Sequence, residues 1–210
     1  MSIYLSTAYL APIQYFSKLV DSEDVFIEAC ENYVKQSYRN RCTIVSSNGV
    51  IPLSVPVEHR SGAKIPIRDI RVSEHGNWQH IHWNAIVSAY NSSPFFEYYQ
   101  DDFYPFYHNK FEFLFDFNEQ LRDLLFRLLG IDCSIKYTED YKLDFDSGDT
   151  NYRDTMSPKI DWRETDSIFL PQKYYQVFEG KFGFVENVSI IDLLFNMGNE
   201  SRLILRQTGG

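Results

Sequence analysis

Hydrophobic and polar positions change their spacing several times along the chain. Ile3–Tyr9 is an apolar-rich run of strand length, followed by Pro12 and then by Ile13, Phe16, Leu19 and Val20, which share one face of a short helix. Proline is tolerated at a first helical position because the N–H it lacks has no partner there. After the Asp21-Ser22-Glu23-Asp24 turn, Val25-Phe26-Ile27 reads as a second strand. Strand, short helix and strand in this order predict a right-handed crossover and a parallel pair.

From residue 40 to 72 the spacing becomes two. Cys42–Val45 and Val50–Val57 flank Ser46-Ser47-Asn48-Gly49, and Asn-Gly is the strongest short signal for a hairpin. Ile65–Val72 is expected to add a further strand to this section. Helical spacing then returns. Trp78–Tyr90 reads as one helix stopped by Asn91-Ser92-Ser93, and Ser93 is expected to cap another that opens on Pro94 and carries Phe95, Phe96, Tyr98, Tyr99 and Phe103. From Asn118 to Leu129 the leucines 121, 124, 125, 128 and 129 form a stripe, with Gly130 at the exit.

Residues 138–166 hold nine acidic side chains against four basic ones and show no apolar period, so they are expected to form a long surface loop, the natural lid of any site. Ser189-Ile190-Ile191-Asp192 reads as a helix-capping arrangement ahead of Leu193-Leu194-Phe195, closed by Gly198. The elements add up to an α/β fold, a mixed sheet with an N-terminal βαβ unit, a β-hairpin section and a helical C-terminal half. With no repeats and no Gly/Ser linker, a single domain over 1–210 is expected.

Composition narrows the functional classes. Aromatic residues are 17% of the chain, including 17 Phe and 15 Tyr, enough to line a groove or partner surface as well as a core. No apolar run approaches the roughly 18–20 residues of a membrane span. The first residues lack the basic start and apolar stretch of a signal peptide, so a cytoplasmic protein is expected. Cys30, Cys42 and Cys133 are odd in number and far apart, which fits reduced thiols and argues against a zinc site.

The net charge of -9 speaks against nucleic-acid binding. Yet residues 35–71 carry seven basic side chains (Lys35, Arg39, Arg41, Arg60, Lys64, Arg68, Arg71) against Glu58 and Asp69. A basic island in an acidic chain is a candidate phosphate or carboxylate site, since arginine meets oxyanions with two parallel donors. Segment 32–41 leaves the carboxyl end of the second strand and Tyr9-Leu10-Ala11-Pro12 leaves that of the first, the edge where open α/β sheets bind ligands. The alternative reading has Arg39 and Arg41 tie the hairpin to the sheet as structural bridges.

Phosphate-binding glycine loops, nucleophile elbows and zinc-helix motifs are all missing. His80 and His82 diverge on a helix and make a poor metal pair, and no metal or cofactor is expected. His82 shares a stripe with Trp78 and Ile86, and is either a hydrogen-bonded core histidine or a general base.

Several segments together carry a resemblance: Tyr9-Leu10-Ala11-Pro12-Ile13-Gln14-Tyr15-Phe16, Glu23-Asp24-Val25-Phe26-Ile27, Tyr38-Arg39-Asn40-Arg41 and Leu53-Ser54-Val55-Pro56-Val57. Trp78, His82 and Tyr90 with Pro94-Phe95-Phe96, and the closing Ser189–Asn196, extend it across nearly the whole chain. In this order they resemble the WbqC-like family. Ala-Pro stands where that family usually has Pro-Trp, and Gln14 where it has glycine. The resemblance implies a transferase of surface-polysaccharide or amino-sugar biosynthesis, passing a glycyl or acyl group to an amino sugar and holding an anionic nucleotide sugar or acyl donor. The residues agree with that expectation, and the candidate substrate-binding set is Tyr9, Gln14, Tyr15, Lys35, Arg39, Asn40, Arg41, Trp78 and Tyr90, with His82 as catalytic base. Lys35, Arg39 and Arg41 would hold a diphosphate, while Tyr9, Tyr15 or Trp78 would stack on a base or sugar. The rival expectation is a non-catalytic protein whose aromatic band, Phe95 to Phe117, binds a partner.

Overall fold

The computed structural model describes residues 2–22, 24–59 and 64–209; Glu23 of the first turn and Arg60 of the basic island lie outside them. Strand β1 (Ser2–Ser6), helix α1 (Ile13–Ser17) and strand β2 (Asp24–Glu28) form the expected βαβ unit, with β1 and β2 parallel. Two later strands, β5 (Ser134–Tyr137) and β6 (Thr150–Asn151), join them in a four-stranded parallel sheet of order β5-β2-β1-β6. Register puts Ile3 beside Val25 and Leu5 beside Ile27, so one face is a row of buried aliphatic side chains. Tyr4 and Phe26 stack on the opposite face, their rings 10° apart and their centroids at 4.9 Å.

The antiparallel hairpin β3 (Arg41–Ser46) and β4 (Gly49–Ser54) stands as its own two-stranded sheet and packs on α2 (Trp78–Tyr90). Helices α3 (Phe96–His108) and α4 (Leu114–Leu129) follow. Beyond β6 come the single turns α5 (Trp162–Thr165) and α6 (Glu179–Phe182), then α7 (Ile190–Met197) and α8 (Ser201–Thr208). The leucine stripe of α4 is buried at 121, 124, 125 and 129, and Gly130 ends the helix at φ 65°, a left-handed value that costs glycine little.

Five local expectations are corrected. Strand β1 stops at Ser6 because the chain turns there: the Tyr9 N–H donates to the Tyr38 carbonyl at 2.9 Å and Leu10 takes φ 41°. Ile65–Val72 is not a strand but a 3-10 turn, Ile67–Asp69, flanked by isolated bridges; Pro66 removes a ladder donor just before it. Ser93 does not cap α3. Its hydroxyl donates to the Tyr90 carbonyl at 2.7 Å, and the helix begins two residues past Pro94.

The acid-rich segment 138–166 is more than surface loop, since it supplies β6 and the buried Arg153, Met156 and Asp166. Asp166 accepts from both Gln14 Nε2 (2.8 Å) and Lys18 Nζ (3.0 Å), which fastens the segment to α1. Ser189 is not a side-chain cap either: its hydroxyl donates to the Leu10 carbonyl at 2.7 Å. Asp192 is instead a buried acceptor for Tyr90, Tyr174 and Gln176.

Candidate functional site at the carboxyl edge of the parallel sheet

Numbered by their order in the chain, the parallel strands lie third, second, first, fourth across the sheet. The chain thus builds outward from β1 on one side and then crosses to its other side. Loops leaving β1 and β6 therefore diverge, and the gap between them is the place where open α/β sheets hold ligands. A crevice occupies that position. Leu5, Ser6, Thr7 and Ala8 form one wall, Tyr152, Arg153 and Met156 the facing wall, and Tyr15, Tyr38 and Arg39 complete it. Arg39, Arg153 and Met156 also line an outer cleft with Lys35, Ser37, Ser157 and Lys159, so slot and cleft are two parts of one feature.

Beneath it lies a set of buried charges, Glu28, Glu31, Arg39 and Arg153 near strand ends and Glu119 and Arg122 on α4. Arg39 donates from Nε to Glu31 Oε1 at 2.8 Å and from Nη2 to both Glu31 Oε2 and Ser6 Oγ, the latter at 2.7 Å. Arg153 bonds Glu28, whose side chain is fully buried and also accepts from Thr138. Arg122 and Thr7 bond Glu119. Charges removed from water are tolerated only when paired and hydrogen-bonded, and each of these is. Burial pushes the Glu31 carboxyl above its ordinary range, while Arg39 and Ser6 resist. Burial raises Glu119 in the same way against Arg122 and Thr7, and takes the Tyr38 phenol up to about 12.

Of the residues expected from sequence, Tyr15, Lys35 and Arg39 meet at this crevice. The others lie elsewhere. Arg41, at the start of β3, donates from Nε to Ser54 Oγ at 3.0 Å and does not line the crevice; Asn40 donates to the Val55 carbonyl at 2.8 Å. Gln14 is held by Asp166 and Asn187, and Tyr90 donates to Asp192. Trp78 packs edge-on against His82 and Phe117.

His82 is in the core. Its Nδ1 lies 2.9 Å from the Tyr9 hydroxyl, which in turn lies 2.9 Å from that of Tyr107. Burial lowers its pKa to about 4, with a backbone hydrogen bond to Ser54 opposing, so the ring is neutral near pH 7. The aromatic band is largely core as well: Phe96, Phe103, Tyr107 and Phe117 are buried, whereas Tyr98 and Tyr104 are exposed.

Sequence reasoning missed Glu28, Glu31 and Arg153. The first two carried a usable signal, being acids placed just where an apolar strand ends. Arg153 had none, standing among acids in a segment without periodicity. Among the described residues no group of three or more His, Cys, Asp or Glu is placed to hold a metal ion, and no helix is long and apolar enough to cross a membrane.

The inner slot has room for about one water molecule, and the outer cleft is wider. The outer cleft offers cationic side chains, the inner slot offers tyrosine rings and the Ser6 hydroxyl, and a carboxyl of raised pKa stands behind that hydroxyl.

No solved structure matches the chain. It is similar to the uncharacterised protein Rv1507c of Mycobacterium tuberculosis (strain ATCC 25618 / H37Rv), with 26% identity and 91% of each chain covered. The model of one family matches residues 7–153, a stretch that begins at the turn after β1 and ends on Arg153, the two sides of the crevice: the chain belongs to the WbqC-like protein family.

Proposed function

We propose that this protein is a transferase of surface-polysaccharide or amino-sugar biosynthesis, which passes a glycyl or acyl group to an amino sugar and holds an anionic substrate in the crevice between β1 and β6. The observation that carries the reading is the reversal of strand order, which puts a crevice with cationic and aromatic walls at the ligand-binding position of an open α/β sheet. Membership of the WbqC-like family agrees with it.

Direct attack by the acceptor amine on the acyl carbon needs no covalent enzyme intermediate, only a proton acceptor and fixed geometry. Ser6 and Glu31 fit that role better than His82. Ser6 Oγ stands at the crevice and donates to Glu31 Oε2 at 3.0 Å, whereas the imidazole is sealed among Tyr9, Trp78 and Tyr107. The amine proton passes to Ser6 Oγ as the Ser6 proton passes to Glu31, and the donor's leaving group departs with the acyl–donor bond electrons.

The test is thermal unfolding with nucleotide sugars and coenzyme A thioesters. A bound substrate stabilises by about 2.7 kcal/mol at a concentration 100 times its Kd. Stabilisation by at least one of them, lost in a slot-blocking Ala8→Leu variant, is expected; no stabilisation by any would remove the reading.

A further inference from the structure

We infer that the protein carries a second binding site apart from the crevice: the cavity at the start of α2 takes a small carboxylate with an apolar body, its oxygens on the Trp78 indole N–H and the first N–H groups of the helix. This cavity shares no lining residue with the crevice, and the inference does not depend on the transferase reading.

The cavity measures about 210 Å³. An apolar cavity of about 150 Å³ holds a benzene ring, so an aromatic or short aliphatic acid has room here. Val72, Phe111 and Trp78 give it apolar walls, and those walls are fixed in advance. The Phe111 ring lies within 3° of parallel to that of Phe106 and stands edge-on to Phe117, against which Trp78 also packs. Gln79 donates to the carbonyls of Phe106 (3.1 Å) and Asn109 (2.6 Å), which ties the start of α2 to the end of α3. A site already held in shape loses little entropy when a ligand arrives.

Trp78 supplies the observation that points to a ligand. It is 7% exposed, and among the described residues its indole N–H has no hydrogen-bond partner. The nitrogen is not sealed from solvent, and among the hollows described Trp78 lines this one alone. The indole N–H therefore opens on this cavity. His82 and Phe117 hold the ring edge-on, which sets the direction in which it donates. A donor with so little access to water costs stability unless something in the cavity accepts from it.

The helix supplies further donors at the same place. Asn77 precedes α2 in a left-handed conformation, φ 48°, and no side chain caps the helix start, so the N–H groups of the first turn have no side-chain acceptor. They bring the positive end of the helix dipole, which favours an anion over a neutral acceptor. Ser73 Oγ accepts from the His75 N–H at 3.2 Å and keeps its own proton to donate. Lys110 and Glu74, both in the lining and both exposed, pair at 2.7 Å and cancel in charge, so the helix end decides the sign. With its lysine already paired, the cavity suits a single negative charge better than a phosphate dianion. Donors gathered among apolar walls match a carboxylate on an apolar body.

The experiment is nitrogen–proton correlation NMR of the full chain titrated with sodium benzoate, with benzamide as a neutral probe and benzylamine as a cationic one. The chain has three tryptophans, and Trp78→Phe identifies the Trp78 indole signal by its loss. Benzoate should move that signal to saturation and leave those of Trp83 and Trp162 in place. Benzamide should bind at least about tenfold more weakly, and benzylamine should leave the signal unmoved. Phenylalanine keeps a ring against His82 and Phe117, and the two remaining indole signals check that the variant folds. Followed at the Gln79 backbone N–H, benzoate should bind Trp78→Phe about tenfold more weakly than wild type. The comparison of the three probes on wild type stands whether or not the variant folds. A Trp78 signal that benzoate does not saturate, which is a cavity holding solvent alone, overturns the inference. So does an equal response to benzamide or benzylamine, or an unchanged benzoate affinity in folded Trp78→Phe.

Discussion

Glu31 and Arg39 stand eight residues apart and meet through two nitrogens on two oxygens, both side chains nearly sealed from water. Glu31 follows β2, Arg39 precedes β3, and the hydroxyl between them is Ser6 at the end of β1. One pair therefore joins the parallel sheet to the hairpin and also shapes the crevice. These contacts are those of the structural-bridge reading of Arg39.

Removing one partner of this pair strands the other. Arg39→Ala leaves the Glu31 carboxylate buried without its cation and should cost about 3–5 kcal/mol. Arg39→Met with Glu31→Leu removes both charges and should cost clearly less than the single change. Urea unfolding of the three proteins measures this. Equal losses in the single and double variants would mean that packing, not charge, governs the site.

His82 makes a pH-dependent contribution whose sign follows from burial. Folded, it stays neutral until about pH 4; unfolded, it takes a proton near its ordinary 6.5. Between these values the unfolded chain binds more protons. The contribution is therefore complete above pH 6.5 and is lost as pH falls toward 4, by up to about 3 kcal/mol. Glu31, Glu119 and Asp192 act in the opposite sense, because burial raises their pKa and the folded chain holds their protons longer. The His82 part is isolated by comparing wild type with His82→Gln. The stability gap between them should shrink as pH drops from 6.5 to 4, and a constant gap would show that the ring titrates normally in the fold.

Helix α2 was legible to the residue because apolar spacing and its bounding asparagines agree locally, and β1–α1–β2 was legible because a strand, a proline start and a strand follow each other within 28 residues. The side of the sheet was legible for the same reason. The site was legible only in part. Lys35 and Arg39 carried a compositional signal and Glu31 a positional one at the end of an apolar strand, whereas Arg153 comes to this edge only when β6 is laid beside β1, a contact between residues 147 apart. Sequence placed Tyr9 among the candidate ligand contacts and left His82 open between a hydrogen-bonded core histidine and a general base, because a buried hydrogen-bonded pair and an active-site pair use the same residue types. Burial alone separates them, and burial is a property of the assembled fold.

Asp192 provides a direct contrast between capping and core roles. As a capping residue its loss would cost about 1 kcal/mol. In the fold its Oδ1 accepts from Tyr174 (2.7 Å) and Gln176 (2.9 Å) and its Oδ2 from Tyr90 (3.0 Å). Asp192→Asn turns one acceptor into a donor facing other donors, leaving at least one buried group without a partner, and should cost about 2–3 kcal/mol or more. A loss near 1 kcal/mol in chemical denaturation would restore the capping role.

Gly198 joins α7 to the turn before α8 under the Phe95 ring, and its constraint is both conformational and steric. Its φ of 54° with ψ of −128° is a backbone state that side-chain-bearing residues rarely take. A Cβ added there would lie 2.7, 2.8 and 2.9 Å from three carbons of the Phe95 ring. The Phe95 N–H is bound to the Phe195 carbonyl at 3.0 Å, which fixes the start of α3 against α7 and leaves the ring only rotation about its own side-chain bonds to relieve the contact. Gly198→Ala should therefore cost the backbone strain, about 1–3 kcal/mol, and a further overpacking loss of about 1–3 kcal/mol. Placing it in a Phe95→Ala background separates the two contributions. The added cost of the alanine should fall by the overpacking part when the ring is gone and stay at the strain value, a coupling that a double-mutant cycle reads directly. If the cost is the same with and without the ring, the clash plays no part, and conformation alone accounts for glycine at this position.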